Sequence, residues 1–199
     1  KRQKEANIDR NQDGKLSTGE IALVQDIDVY DMEIADLTGI EYFTELKYLD
    51  CAGNHLTSLD LSRNTKLKEL NCSTNRLTVL DLSQNSKLKR VICSDNALTA
   101  LNLSSNSKLT NLNASGNIRE ITLTGNTFDL SSLTGFDVSK ARNWQGGTVS
   151  GNTLTVDGNA AVVIYSYDIS YTGTELDDEE KDVIFTLAIA GRGTEIAIN

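Results

Sequence analysis

A twelve-residue segment near the start of the chain carries oxygen-bearing side chains at alternate positions, a pattern typical of calcium binding. It runs from Asp9 to Glu20 and reads DRNQDGKLSTGE, with Gly14 at its centre. Ca²⁺ is a hard cation that takes about six to eight oxygen ligands, and the central glycine permits the sharp turn that gathers them. The expected ligands are the backbone carbonyl of Lys15 and the side chains of Asp9, Asn11, Asp13, Ser17 and Glu20.

This segment resembles an EF-hand loop at every diagnostic position, and the resemblance implies Ca²⁺ as a cofactor. Sensor EF-hands act in pairs, but we find no second loop, because the acidic run from Glu175 to Asp182 has no glycine at the required position. We therefore expect a structural ion that stabilises the N-terminal end of the chain. The alternative is a solvated turn, rich in Asn and Asp, that caps a helix beginning near Ser17.

Three cysteines, Cys51, Cys72 and Cys93, are spaced 21 residues apart, and Ala114 occupies the equivalent position one interval later. A thiol and a methyl group at one repeat position indicate a small, buried hydrophobic site. Neighbouring cysteines would lie about 4.8 Å apart at the backbone. That distance allows a disulfide, but parallel Cβ directions do not suit one. We predict buried thiols.

The remaining titratable residues offer no catalytic centre. His55 is the only histidine, it follows Asn54 in a turn, and the later copies carry Arg76 and Ala97 in its place. A general base needs a positioned nucleophile or acid beside it, and none is indicated. We expect an exposed turn residue at His55, a solvated hairpin loop over the acidic run, and a protein that is not an enzyme.

The cysteines belong to a repeat that determines the architecture. LKYLDCAGNHLTSLDLSRNTK (46–66) is followed by LKELNCSTNRLTVLDLSQNSK (67–87) and LKRVICSDNALTALNLSSNSK (88–108), and a contracted copy starts at Leu109. Self-similarity at this period predicts a solenoid in which each copy is one coil stacked on the last.

Each copy contains two half-units, LxxLxC and LxxLxL, whose alternating apolar and polar residues predict a short strand with one buried face. We therefore expect two narrow parallel sheets on opposite sides of a flattened coil. An asparagine follows each strand, where an inward amide would bond backbone groups left open at the turn. The two rows are Asn54, Asn75, Asn96, Asn117 and Asn64, Asn85, Asn106, Asn126.

The LxxLxLxxN pattern over roughly residues 24–126 resembles the leucine-rich-repeat family. The doubled 21-residue form is similar to short-repeat surface proteins of Bacteroidetes and to internalin-like adhesins. The resemblance implies a right-handed solenoid that binds proteins and is displayed extracellularly or on an outer surface. We expect a non-enzymatic interaction or adhesion module; the alternatives are a glycan-binding accessory protein and a structural spacer for another domain.

The predicted fold is mostly β and has three parts. Residues 1–23 form a small helical cap with the calcium loop, residues 24–126 form the solenoid with a divergent first coil, and residues 127–199 form an antiparallel β cap or small β module. Turn signals such as Asp157-Gly158-Asn159 bound the last part. Its predicted strands are Thr153–Val156, Val162–Tyr167, Val183–Ala190 and Glu195–Ile198. Upstream, residues 36–43 supply apolar side chains to cover the first coil.

Charge and composition restrict the partners. The net charge of −9 makes the chain a poor nucleic-acid binder, and no apolar run approaches the ~18–20 residues of a membrane span. Residues 21–45 carry acids and no base, whereas residues 46–117 carry an excess of bases. The opening KRQKEAN has no initiator Met and no signal-peptide core, so we expect a processed fragment whose export signal lies outside it.

The solvent-facing strand positions form the predicted binding face for a protein ligand. On the first sheet they are Tyr48, Asp50, Glu69, Asn71, Arg90, Ile92, Asn111 and Asn113. Lysines also recur in register: Lys66, Lys87 and Lys108 form one row, and Lys47, Lys68 and Lys89 form another. The rows are interpreted either as solubilising positions or as a basic stripe for an acidic protein or an anionic glycan.

Overall fold

The computed structural model describes residues 15–176 and 182–192, and its regular structure is almost entirely short strands. One four-residue helix, α1, spans Thr18–Ile21, and 3₁₀ turns span Ile40–Tyr42, Leu130–Ser132 and Val138–Lys140. The strands are β1 (Asp26–Asp28), β2 (Tyr48–Asp50), β3 (Glu69–Asn71), β4 (Arg90–Ile92), β5 (Asn111–Asn113), β6 (Ile118–Ile121), β7 (Thr127–Asp129), β8 (Ala141–Gln145), β9 (Gly147–Ser150), β10 (Thr153–Val156), β11 (Val162–Asp168) and β12 (Asp182–Ile189).

The first half of each coil forms one parallel five-stranded sheet in the order β1-β2-β3-β4-β5. Its register advances by one repeat per strand, so Leu49 lies opposite Leu70 and Leu70 opposite Val91. These central side chains are at most 2% exposed. The alternation of apolar and polar residues therefore places one face of the sheet in the core, and the first predicted sheet is confirmed.

The second predicted sheet is wrong. Residues 58–61, 79–82 and 100–103 form no strand, although Leu61, Leu82 and Leu103 are buried as predicted. In this half, asparagine side chains bind to the preceding coil: Asn85 Nδ2 donates to the carbonyls of Leu61 (3.0 Å) and Asn64 (3.1 Å). The alternation specifies which residues face inward but not that neighbouring backbones pair.

The first asparagine row has the predicted role. Asn96 is buried, and its Nδ2 donates to the carbonyls of Cys72 (3.0 Å) and Cys93 (3.2 Å), while its Oδ1 accepts from the Leu77 amide at 3.0 Å. Each such amide satisfies backbone groups of two successive coils. The last member of the second row is a correction: Asn126 is exposed, because the chain has left the solenoid before it.

The chain leaves the solenoid through β6, which pairs in parallel with β12 rather than with β5. Two further sheets follow, a four-stranded one in the order β6-β12-β11-β8 and a three-stranded one in the order β7-β10-β9. The predicted strands at Thr153–Val156, Val162–Tyr167 and Val183–Ala190 agree with β10, β11 and β12 to within a residue. The predicted strand Glu195–Ile198 lies outside the described residues.

The C-terminal strands cover the exposed edge of the last coil. The hydroxyl of Tyr165, which is fully buried, donates to the Thr99 carbonyl at 2.7 Å, and Tyr171 Oη donates to the Leu109 carbonyl at 2.7 Å. The Leu103 amide donates to the Ile169 carbonyl at 2.7 Å. The C-terminal strands therefore cover both the backbone groups and the apolar residues of the last coil, as the end of a solenoid requires.

Each of the five coils turns through a residue with positive φ, three residues after the end of its strand. The values lie between 53° and 68° for Asp31, Gly53, Thr74, Asp95 and Gly116. This left-handed region is strained for residues with a Cβ and most strained for β-branched ones such as threonine, whereas aspartate tolerates it better.

We expect Thr74→Gly to stabilise the protein by about 1 kcal/mol, because removal of ~1–3 kcal/mol of backbone strain exceeds the entropy that glycine loses on folding. Thermal unfolding would show a midpoint about 2–4 °C higher. The matched substitution at the next coil, Asp95→Gly, should give a smaller increase. A lower midpoint for Thr74→Gly would contradict this account of the turn.

Candidate binding surface

The outward residues of β1 to β5 form two columns on the solvent face of the sheet, and all the face positions predicted from the sequence lie in them. The first column contains Asp26, Tyr48, Glu69, Arg90 and Asn111. The second column contains Asp28, Asp50, Asn71, Ile92 and Asn113. Asp26 and Asp28 come from the divergent first coil and were not among the predicted positions.

Most residues of the second column also shape the turn that follows them. Asp50 Oδ1 accepts from the Ala52 amide at 3.1 Å, and Asn71 Oδ1 accepts from the Ser73 amide at 3.3 Å. These are Asx turns, in which a short polar side chain holds the backbone two residues ahead. Asn71 Nδ2 also donates to Asp50 Oδ2 at 3.2 Å. The second column therefore has a structural role, and the first column is better suited to contact a partner.

The face is polarised along the solenoid. Four acids, Asp26, Asp28, Asp50 and Glu69, lie toward its N-terminal end, and Arg90 lies beyond them.

Exposed apolar side chains collect on the same first coil. Tyr30 and Met32 are each 59% exposed on the turn after β1, and Tyr42 is 67% exposed. The prediction that residues 36–43 cover the first coil holds for Ile40, which is buried, but Tyr42 faces solvent. The sequence itself shows that Met32 departs from the repeat. The pairing of β1 with β2 aligns Met32 with Asn54, a position that the later coils fill with asparagine.

The predicted calcium loop is described only at its end. Asp9, Asn11 and Asp13 lie outside the described residues; Lys15 and Ser17 are exposed. Glu20 is 8% exposed, and its Oε2 accepts from the Ser17 amide (2.9 Å) and hydroxyl (2.7 Å).

Ser17 is the N-cap of α1, as the alternative interpretation of this segment expects, and with Glu20 it completes a capping box. In the part of the chain that the structure describes, no three His, Cys, Asp or Glu side chains are arranged to hold a metal ion.

The lysine rows stack from coil to coil. The Lys68 amide donates to the Lys47 carbonyl at 2.8 Å, and the Lys89 amide donates to the Lys68 carbonyl at 2.7 Å. Lys66 forms an ion pair with Glu45, and Lys87 and Lys108 are exposed.

The three cysteines are fully buried and free, as predicted. Burial raises the pKa of Cys51 to about 12, with a smaller contribution from the Asp50 charge, and burial raises the pKa of Cys93 to about 12. For Cys72, burial and the neighbouring thiols raise the pKa well above its usual range. A thiolate is the nucleophilic form of cysteine, so none of the three provides a nucleophile near neutral pH.

His55 also lies where the sequence predicts, on an exposed turn, with its amide donating to the Ile34 carbonyl at 2.8 Å.

The cysteine row predicts a loss of stability in alkali. Unfolded thiols lose their protons near pH ~8.5, while the folded Cys51 and Cys93 hold theirs up to about pH 12. The stability that the protonated, buried thiols give to the folded state is therefore complete below pH ~8.5 and is lost as the pH rises toward 12. In urea titrations at about pH 7 and 9.5, we expect the triple variant C51A/C72A/C93A to lose less stability than wild type between the two pH values.

The native thiols should also react with a thiol-specific reagent only after unfolding. Ala114 shows that the fold accepts alanine at this position, so the triple variant is a fair comparison. Fast labelling of the native protein at neutral pH would contradict the burial of the row.

Comparison with known proteins identifies the type of solenoid. No family model matches the chain. A stretch of 50 residues is 44% identical to Internalin J of Listeria monocytogenes serotype 4b (strain F2365) and covers 25% of this chain but only 6% of that protein. The match therefore spans a small part of that relative's length.

Among solved structures, an internalin (inlF) from Listeria monocytogenes superposes with a TM-score of 0.51 and 25% identity, over 56% of this chain and 34% of that one. The functional domain of InlJ from Listeria monocytogenes, which is described as including a cysteine ladder, gives a TM-score of 0.39 and 17% identity, over 87% of this chain and 69% of that one. The chain has an internalin-like leucine-rich-repeat solenoid fold. No helix within the described ranges combines the length and apolarity that a membrane crossing requires.

Proposed function

We propose that this chain is a non-enzymatic protein-interaction or adhesion module displayed at a bacterial surface, and that its partner binds the solvent face of the five-stranded sheet. The sequence and fold similarity to internalins supports the general class. The observation that carries the proposal is the pair of outward columns on β1 to β5, which present variable side chains on an otherwise regular repeat.

The size of the face determines how the partner binds. Five strands spaced about 4.8 Å apart make a sheet about 20 Å long and only three residues wide, which offers a few hundred Å². A standard stable interface needs about 800 Å² on each side. The contact must therefore extend past the sheet, and Tyr30 and Met32, exposed on the turn after β1, extend it with the large side chains typical of binding hot spots.

The absence of enzymatic activity is part of the proposal. It is supported by the buried, protonated cysteines and by the isolated position of His55 on a turn. Surface display is supported by the similarity to internalins. The division of the chain into an N-terminal cap, a solenoid and a C-terminal β part is likewise proposed, with the boundary between the last two at β6, where the chain leaves the solenoid and pairs with β12.

The face is tested by the double variant Tyr48→Ala with Arg90→Glu, which removes an aromatic side chain and reverses a charge in the first column. Beads coated with the wild-type chain should adhere to cultured epithelial cells, and trypsin treatment of those cells should abolish adhesion. We expect the variant to adhere at least tenfold less, because it alters the centre of the contact.

The matched control is Asp60→Asn with Asp81→Asn, which alters the other half of the coils and keeps the turn caps that Asn102 already makes at the equivalent position. Both variants should melt as wild type does. Equal adhesion by the face variant and wild type would refute the proposed face, and adhesion that survives trypsin would refute a protein ligand.

We further propose that the loop from Asp9 to Glu20 binds a structural Ca²⁺ ion. The spacing of oxygen-bearing residues supports it, as does the buried Glu20 carboxylate at the end of the loop. In the described structure that carboxylate is held by Ser17. Calcium binding and the capping box therefore compete for the same side chain, and a glutamine can serve only the second, because it lacks the charge of a bidentate carboxylate.

Wild-type protein should melt at a higher temperature in millimolar Ca²⁺ than in excess EDTA, since a ligand that binds only the folded state stabilises it. In Glu20→Gln we expect the calcium-dependent difference to disappear while the midpoint in EDTA stays within about 3 °C of wild type. Identical wild-type midpoints with and without calcium would rule out a structural site. A calcium-dependent difference that persists unchanged in Glu20→Gln would show that Glu20 is not a ligand.

A further inference from the structure

Six lysines form a continuous ladder along one edge of the solenoid, where each coil returns to the sheet. The ladder contains Lys47, Lys66, Lys68, Lys87, Lys89 and Lys108. Its rungs are pairs such as Lys87 and Lys89, which lie on either side of a buried leucine, Leu88, that is 0% exposed. The amide–carbonyl bonds from Lys68 to Lys47 and from Lys89 to Lys68 place neighbouring rungs one coil apart.

The surroundings of the ladder are basic and hydroxylated. Residues 62–68, 83–89 and 104–110 contain no acid and hold five of the six ladder lysines together with Arg63. The other exposed residues there are serines, threonines and Gln84, and none is aromatic. Asp60 and Asp81, just before two of these stretches, hold the turns at Ser62 and Ser83.

Most of the ladder carries uncompensated charge. Lys66 pairs with Glu45, but in the described ranges Lys68, Lys87, Lys89 and Lys108 take part in no salt bridge. Like charges that stack one coil apart repel one another. A ligand with regularly spaced negative charges would relieve that repulsion along the whole ladder, which a single anion at one rung could not do.

We propose that the lysine ladder binds a linear acidic polysaccharide, carrying uronic or sulfate groups, that lies along the solenoid axis. A repeating ligand matches a surface that repeats at every coil, and the serine and threonine hydroxyls between the lysines suit sugar hydroxyls. A protein partner is usually anchored by aromatic side chains as well as by arginine, and these three stretches contain no aromatic residue. A neutral sugar or a single-stranded nucleic acid would likewise need aromatic stacking platforms there.

This site is separate from the proposed protein-binding face, and its local positive charge would allow a polyanion to bind a chain whose net charge is −9. Because the attraction is local, the surrounding acids and dissolved salt both oppose it. Binding should therefore weaken steeply as salt rises, as it does for other polyanions whose counterions are released on binding.

The test measures binding of the chain to an immobilised heparin decasaccharide at about 50 and 200 mM NaCl. Wild type should bind at the lower salt and weaken at the higher. The variant K68Q/K87Q/K89Q should bind at least tenfold more weakly at the lower salt. The slope of log affinity against log salt should fall by about two, since three cation contacts are lost.

The matched control is N126D/N152D/N159D, which changes the net charge by the same amount at three exposed residues of the C-terminal part, away from the ladder. It should bind within about threefold of wild type, and circular dichroism should show that both variants fold. Equal binding by all three proteins, or equal losses in both variants, would overturn the proposal, the second by showing that only net charge matters. Tighter binding to poly-L-glutamate than to the decasaccharide would overturn it in favour of an acidic peptide. None of these outcomes bears on the Tyr48 and Arg90 face.

Discussion

The structure depends on buried asparagine side chains that join one coil to the next. In the first half of each coil they supplement a backbone ladder, as Asn96 does between Leu77 and Cys93. In the second half, with no sheet, Asn64, Asn85 and Asn106 supply the donors by themselves. Their Oδ1 atoms are buried without a hydrogen-bond partner, which carries an energetic cost. The arrangement persists because each amide satisfies carbonyl groups that would otherwise be buried and unpaired.

This constraint explains why so few residues of the repeat are available for function. Leucine and cysteine positions fill the core, asparagine positions bind backbone, and Asx positions such as Asp60 and Asn71 hold turns. What varies is the outward strand column, the lysine rungs and the two ends. The exposed Tyr30 and Met32 lie on the first coil, where the repeat is least regular. The residues proposed for recognition are therefore the ones that the buried asparagine rows constrain least.

The C-terminal end of the solenoid is stabilised by different interactions from those in its middle. At the C-terminal end, Tyr165 and Tyr171 donate hydroxyls to carbonyls of the last coil, and the Ile169 carbonyl accepts a backbone amide from it. An aromatic cluster around Tyr165, with Trp144 stacked at 4.7 Å, fills the space beneath. Aromatic residues are scarce in the repeats, so the change in composition after residue 127 marks a change in how the core is packed.

The sequence by itself determined what repeats: the coil length, the five-stranded sheet, the inward cysteines and the bonding role of Asn96. These follow because side-chain direction alternates along a strand and the period carries that alternation from coil to coil. Only the tertiary structure decided the absence of a second sheet, the exposure of Asn126 and Tyr42, and the pairing of Ile118 with Thr186. Those depend on how backbones far apart in the chain come together, and no local pattern encodes that.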